Sequence, residues 1–503
     1  MVSVFVIAVC GLIYELLAGT VSSYLLGSSV LQFSLVIGLF LTAMGIGSFI
    51  SRLFTDEERL LGVFLTVEII IGLVGGSSAL ALFFAFSVIG SYLPLLVILS
   101  MVIGTLVGLE IPLLVRILRR MAPLSAALGN VLGLDYLGAL AASLLFPLVL
   151  VPRLGMIRTS FLFGLLNVVV ALTGVHFFRH QLRRAGTLRM AALAVALLLV
   201  GGLISAGRAT TLMEDALYDD EIIYARSTPF QRLVITRWRD DLRLFIDGNI
   251  QFSTVDEFRY HEALVHPAMG LVPAARNVLL LGAGDGLAAR EILKHRPVQR
   301  VDLVDLDPEM TRIFSTIPLL VQINGGSLKD PRVHVHNVDA QKYLERNRRR
   351  YDVIIIDLPD PNNESLGRLY SASFYRLTAK SLAPDGVMVT QATSPFYARA
   401  GFWCIHNTIA SVTLSSAGGR LSVLPYHASV PSFGQWGFVL AATHPMHPRT
   451  IRLDVPTRYL SQRLLPTLFI FPKDIGPMQT PINRLDNQVL LRLYEEGFKR
   501  YNR

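Results

Sequence analysis

The chain has 503 residues, of which 52% are hydrophobic and only 17% charged, with a mean hydropathy of +0.50. That length is too great for one ordinary domain, and the charge content falls below the roughly 25% of a wholly soluble protein. The formal charge of +9 is no nucleic-acid signal, because no long basic run is interleaved with aromatics.

The charge is unevenly spread. Residues 1–210 hold twelve Arg, no Lys and seven acids, leaving 34 of 46 basic and 30 of 37 acidic residues for the rest. A membrane helix needs roughly 20 apolar residues. Seven spans in the first part meet that need: 3–25, 29–50, 61–86, 92–115, 128–151, 159–178 and 190–206. The first lacks a basic start and a small-residue cleavage site, so it reads as an anchor and not as a removed signal. Seven such spans leave no polar faces for a soluble core. Glu15, Glu68, Glu110 and Asp135 interrupt them, and acids at such depth are candidate functional groups. The alternative is interfacial depth or pairing with Arg.

The Arg clusters set a topology. Arg52 and Arg59, then Arg116, Arg119 and Arg120, then Arg179, Arg183, Arg184 and Arg189 share one side if seven helices alternate. The positive-inside rule makes that side cytoplasmic, with the N-terminus, and so sends the C-terminal part outside.

After residue 210 the pattern changes. RLVITRW and RLFIDG alternate like the strands of a hairpin around RDD. From 277 the runs NVLLLG, RVDLVDLD, RVHVHNVD, YDVIIID and GVMVTQ alternate with helical stretches. That rhythm predicts a parallel sheet covered on both faces. The tail from about 445 reads as polar, Pro-containing and irregular. The two cysteines, Cys10 and Cys404, lie far apart and allow neither a disulfide framework nor a Cys-based metal site.

The chemistry sits at the strand ends. NVLLLG runs into GAGDGLAAREILKH, where Gly282, Gly284 and Gly286 make a tight turn into a helix whose N–H groups can meet a ligand. Glycines at relative positions one, three and five match an S-adenosyl-type loop better than the dinucleotide pattern, whose last glycine position is Leu287 here. Asp305 ends the next strand, 19 residues after Gly286, where a carboxylate can accept from both ribose hydroxyls. Asp307 is the natural cap of the following helix, with Pro308 in its first turn. Asp339 can accept from an adenine amino group beside the Ala340 backbone, or it simply caps a helix. Asp357 and Asp360 stand three residues apart in VIIIDLPDPN, on a turn stiffened by Pro359 and Pro361. Two carboxylates so held suit a small cationic amine. One grips an ammonium, and the other takes its proton, without which an amine of pKa near about 10.4 is no nucleophile. Tyr260 and His261 are adjacent on a helix and point about 100° apart; alone, the His reads as structural.

These motifs together resemble the spermidine synthase (polyamine aminopropyltransferase) family over about residues 212–445. The matching blocks are TPFQRLVI, LFIDGNIQFSTVDEFRYHEALVHP, VLLLGAGDGLAAREILKH, DPRVHVHNVDAQKYL and YDVIIIDLPDPN, then LYSASFY. The N-terminal part is similar to the multi-span region fused to some bacterial members. The resemblance implies transfer of an aminopropyl group from decarboxylated S-adenosylmethionine to putrescine or a related amine. The products would be spermidine and methylthioadenosine. The donor is a co-substrate, and neither a cofactor nor a metal is needed. Gln231, His261, Asp285, Asp305, Asp339 and Ala340 would bind the donor, and Tyr260 and Asp360 the amine. Asp357 would accept the proton. The family's GGGDGG loop reads GAGDGL here, its ribose-binding Glu is Asp305, and Phe230 stands where Tyr is common.

The expected fold is a multi-span α-helical membrane domain (1–210), a small β-hairpin subdomain (211–273), an α/β Rossmann-like catalytic domain (274–445) and a packed tail (446–503). The expected partners are a lipid bilayer, the amine and a second copy of the chain, with no nucleic acid. Because the donor is a cytosolic metabolite, a cytoplasmic catalytic domain on the inner membrane is the expectation, against the Arg distribution. The competing functions are an S-adenosylmethionine-dependent methyltransferase and a non-catalytic polyamine transporter or sensor.

Overall fold

A computed structural model describes residues 2–26, 29–86, 92–119, 123–413 and 419–501; for Ser29 and residues 209–217 it describes the backbone alone. Arg120 lies outside the described residues. The chain divides into two compact units, Met1–Glu221 and Ile222–Arg503. The division falls later than residue 210 because the last apolar helix continues to Leu217.

Among its described residues, the first unit contains seven helices long and apolar enough to cross a membrane. They are built on α1 (Val2–Leu26), α2 (Ser29–Ile50), α3 (Leu60–Phe84), α4 (Tyr92–Leu118), α5 (Leu124–Leu145), α6 (Met156–Phe177) and α7 (Ala185–Leu217). Apolar residues surround each helix, so neither face is predestined for the interior. Polar groups mark the inside instead. Glu68 on α3 and Glu110 on α4 are buried close to each other. Asn167 Nδ2 on α6 donates to Glu68 Oε2 at 2.9 Å, and Tyr14 Oη on α1 donates to Asn167 Oδ1 at 3.2 Å. Glu15 and Asp135 are only partly buried.

The second unit opens with a four-stranded antiparallel sheet: β1 (Glu221–Ser227), β2 (Arg232–Trp238), β3 (Asp241–Ile246) and β4 (Asn249–Ser253). β2 and β3 form the hairpin that RLVITRW and RLFIDG predict. Asp247 and Gly248, at φ 48° and 80°, make the two-residue turn into β4 that a right-handed twist favours. The sheet packs Leu233, Ile235, Leu244 and Phe252 against Ile313 and Phe314 of the following layer. Helix α8 (Glu257–Leu271) follows.

The larger sheet has seven strands: β5 (Asn277–Gly282), β6 (Arg300–Asp305), β7 (Val333–Asn337), β8 (Tyr351–Asp357), β9 (Leu382–Gln391), β10 (Ser422–Val430) and β11 (Gly434–Ala442). Their order is β10-β11-β9-β8-β5-β6-β7, with β7 through β9 parallel and β10–β11 an antiparallel hairpin at one edge. Apolar clusters cover both faces. This is why β5 and β8 read as unbroken apolar runs. From β5 the chain winds outward to β6 and β7, then returns to β8 and β9 on the other side. The order therefore reverses between β5 and β8, and the carboxyl ends of such a pair flank the ligand crevice of an open parallel sheet. Helices α9 (Leu287–Leu293), α10 (Pro308–Thr316), α11 (Ala340–Arg346), α12 (Ala372–Lys380) and α13 (Arg399–Ala410) complete the layers. The tail lacks α-helix and strand up to residue 488, but against the expectation of an irregular segment it ends in an amphipathic helix, α14 (Val489–Phe498), whose apolar residues VLL and L at helical spacing are a readable signal.

Candidate active site

The reversal point places Gly282 directly beside Asp357 in the β5–β8 register. A Cβ at Gly282 would stand 2.0 Å from the Asp357 carbonyl oxygen, and φ is 86°, so only glycine fits. At Gly284 a Cβ would meet Asp305 Oδ2 at 2.5 Å. Glycine there lets the Gly284 amide donate to that same oxygen at 3.0 Å. Gly286 turns the chain into α9. Ala283 sits at φ 59°, a strained region for a residue with a Cβ.

These strand ends border one cavity of about 460 Å³. Gln231, Tyr260, His261, Gly282, Gly284, Asp285, Asp305, Asp339, Ala340, Asp357 and Asp360 all line it. Gly286 is not among the lining residues and serves the turn. On the β6–β7 side, Asp305 is fixed by two backbone donors, Gly284 N to Oδ2 and Asp307 N to Oδ1 at 2.9 Å. Each oxygen keeps a lone pair for a further donor. Burial raises the Asp305 carboxyl to about 7. Asp307 caps α10 through Glu309 N and accepts Gln231 Nε2 at 3.0 Å, which orients Gln231. Asp339 caps α11 through Lys342 N at 3.0 Å and pairs with Arg368. The plain capping role open to it in sequence is therefore present, and a base amino group would share its lone pairs.

Asp357 stands at the crossing. Tyr260 Oη donates to its Oδ1 at 2.6 Å. Burial pushes this carboxyl up to about 6, against the pull of neighbouring His261 and the Tyr260 bond. His261 goes the other way. Burial alone would lower it, but Glu257 Oε2, 2.8 Å from Nδ1, outweighs that and holds the imidazole up to about 9. Asp285 is also raised by burial and is drawn back by His261. The adjacency of Tyr260 and His261 thus has a purpose: one ring reaches Asp357, and the other anchors on Glu257 within α8.

The turn after Asp357 is rigid for a visible reason. Pro359 and Pro361 lack N–H donors, and the carbonyls of Leu358 and Pro359 accept from Tyr370 Oη at 3.1 and 3.0 Å. Gln391 Nε2 donates to Leu358 O at 2.7 Å and to Asp360 Oδ1 at 3.2 Å. Thr393 Oγ1 donates to Asp360 Oδ2 at 3.1 Å. Asp360, too, is pushed by burial to about 6. Sequence reasoning missed Glu257, Tyr370, Gln391 and Thr393, and also Tyr494, which lines the same cavity. Only Glu257, four residues before His261, had a readable signal.

The raised carboxyls make a stability prediction. A group whose folded pKa exceeds its unfolded value favours folding when protonated, and that contribution fades as pH rises through the folded value. Asp360→Asn should therefore match wild type below about pH 4 and exceed it at pH 8, by about 2 kcal/mol after allowance for water in the cavity. The thermal midpoint of the ligand-free protein at the two pH values tests this. A variant no more stable at pH 8 would mean that Asp360 is not strained by its burial.

A seven-stranded sheet with a glycine turn, an acid at the next strand's end and carboxylates at the reversal defines a Rossmann-like nucleoside-binding fold. A family profile described as "Spermine/spermidine synthase domain" matches residues 257–451. Polyamine aminopropyltransferase 2 of Ralstonia nicotianae is 51% identical over 99% of this chain and 97% of its own length. Polyamine aminopropyltransferase of Leptospira interrogans is 45% identical over 99% and 98%. A crystal structure of spermidine synthase with the transition-state analogue AdoDATO is 26% identical, covering 51% of this chain and 88% of that one, with a TM-score of 0.46. The chain belongs to the polyamine aminopropyltransferase family.

Proposed function

We propose that the enzyme transfers the aminopropyl group of decarboxylated S-adenosylmethionine to a short diamine such as putrescine, with Asp357 as proton acceptor. The observation that carries this reading is the Tyr260–Asp357 hydrogen bond at the β5–β8 crevice, on a carboxyl raised to about 6. The donor's ribose lies at Asp305 and its base at Asp339 and Ala340. Gln231, His261 and Asp285 line the path toward the sulfonium. The amine lies at Tyr260 and Asp360. Its nitrogen forms a bond to the propyl carbon beside sulfur, the carbon–sulfur bond breaks, and its electron pair leaves with neutral methylthioadenosine. The ammonium proton passes to Asp357. An ordinary Asp is about six pKa units from an alkylammonium, and each unit is about 1.4 kcal/mol, so burial narrows that gap by about 3 kcal/mol. The adjacent sulfonium lowers the amine's own pKa and narrows it further. Both substrates are cations, and the acids around the cavity offset their desolvation.

Purified protein assayed with an amine panel should release methylthioadenosine from the decarboxylated donor. Methyl transfer from S-adenosylmethionine, with no turnover of the decarboxylated donor, would favour the methyltransferase reading instead. The kcat/KM profile should rise with pH through about 6 as Asp357 ionises. Bound cations favour the carboxylate, so the acid limb of kcat should lie lower. A kcat/KM profile flat from pH 5 to 8 would remove Asp357 from the role.

On the same reading the seven-helix unit is embedded in the inner membrane as a multi-pass domain, the catalytic unit faces the cytoplasm that supplies the donor, and the chain acts as a homodimer or larger homo-oligomer. A reporter fused after Arg208 tests the side; an extracytoplasmic signal would contradict it.

A further inference from the structure

The strand order assigns the two halves of the cavity. β5, β6 and β7 lie on one side of Asp357, and β9 lies on the other. The groups around Asp360 therefore border the half opposite Asp305 and Asp339. Two of them, Gln391 and Thr393, come from the end of β9. Thr393 holds a left-handed φ of 57°, rare for a β-branched residue, and its carbonyl accepts Gly437 N at 2.8 Å. Strain of this kind persists where a side chain must be aimed.

Tyr494, on α14, lines the same cavity on the side of Asp360. This helix lies beyond the stretch that matches the family profile. One turn later Phe498 lines the same cavity, its ring 4.6 Å from that of Tyr494. Phe498 also stacks on Tyr397, with centroids 5.7 Å apart. The helix is seated closely. A Cβ at Gly497 would lie 2.7 Å from Ala398 Cα and 2.8 Å from Tyr397 O, so Gly497 alone permits the approach. Buried Val489, Leu490 and Leu491 hold its first turn.

We propose that Tyr494 and Phe498 form the end wall of the amine half, so that α14 sets the length of the acceptor. This rests on the reading that the cavity takes an amine beside Asp357. The Tyr494 hydroxyl orients the Asp360 carboxylate toward an ammonium. The Phe498 ring occupies the space into which a longer polyamine would extend. The site then selects a short α,ω-diamine over a triamine such as spermidine, which protects the product from a second transfer.

The test is steady-state methylthioadenosine release by full-length protein in detergent, with three-, four- and five-carbon diamines and spermidine. Phe498→Ala should raise kcat/KM for spermidine relative to the four-carbon diamine at least tenfold. Phe498→Leu, which refills much of the space, should restore most of the wild-type ordering. Tyr494→Phe should raise the amine KM about tenfold. The donor KM should stay within twofold of wild type throughout, which also reports an intact fold. Wild-type ordering in Phe498→Ala together with an unchanged amine KM in Tyr494→Phe would overturn the wall. So would donor and amine KM rising in step, since that marks a merely structural helix. Wild-type protein that releases no methylthioadenosine with any amine defeats the amine reading itself, and the wall with it.

Discussion

Asp357→Asn should keep donor binding and lose turnover, with kcat falling on the order of 10²- to 10⁴-fold. The substitution is nearly isosteric. Tyr260 Oη, now 2.6 Å from Oδ1, can donate to an amide oxygen in the same place. The Leu358 and Pro359 carbonyls stay tied to Tyr370, so the turn keeps its path. What disappears is the only part of the side chain that can take a proton. Asp305 and Asp339, which the proposal gives to the ribose and the base, lie across β5 at the ends of β6 and β7, so the donor's KM and equilibrium affinity should hold within a few-fold. The residual activity should also lose the acid limb near pH 6. Together, a large fall in kcat, an unmoved donor affinity and a missing limb separate proton acceptance from simple damage. Turnover near wild type would refute the assignment of Asp357.

How much of this was legible in the sequence depends on distance along the chain. The sheet was readable because β5 and β8 are buried on both faces and so are written as apolar runs, VLLL and VIII, that end in Gly282 and Asp357. Gly282 and Gly284 were readable because close approach by neighbouring oxygens leaves no alternative residue. Asp307 announced its cap through the proline after it. Asp360 was visible as a second acid, but the groups that hold it were not. Gln391 and Thr393 lie more than 30 residues on, and no periodicity marks a side chain that turns toward a strand end. Tyr494 is farther still, in a tail whose composition reads as irregular. Asp339 shows the opposite limit. Its position was right for two roles, and only the Arg368 contact and the Lys342 amide reveal that the capping role is filled. In the first unit, Glu68 and Glu110 stood out as acids in apolar spans, yet their closeness across α3 and α4 needs the packed bundle.

Glu257→Ala should be the most destabilising single change near the site, by about 3–5 kcal/mol, because it strands buried charge. Glu257 is 4% exposed. It accepts Arg290 Nη2 on both oxygens at 3.0 and 2.9 Å, and it bonds His261 Nδ1 at 2.8 Å. Arg290 cannot shed its charge and would keep one carboxylate, Glu291, 3.0 Å from its Nε, beside the Ile323 carbonyl on Nη1. His261 can respond. Without Glu257 its burial would pull the imidazole down from about 9, so that it gives up its charge at a lower pH. The pH dependence follows from the directions of the shifts. The folded pKa of His261 lies above the unfolded value of about 6.5, so its contribution is complete below that value and is lost as pH rises through about 9. Glu257 is lowered, so its contribution is present above the ordinary carboxylate range and lost only in acid. The gap between wild type and variant should therefore be widest near pH 6 and smaller at pH 9.5, as read from denaturation midpoints. The same change reaches the chemistry. The imidazolium helps to hold Asp357 in its charged form. Losing it should move the acid limb of kcat/KM above 6, although Glu257 touches no substrate. A limb fixed at about 6 in this variant would mean that Asp357 titrates without regard to His261, and the stability gap would then stand as a structural effect alone.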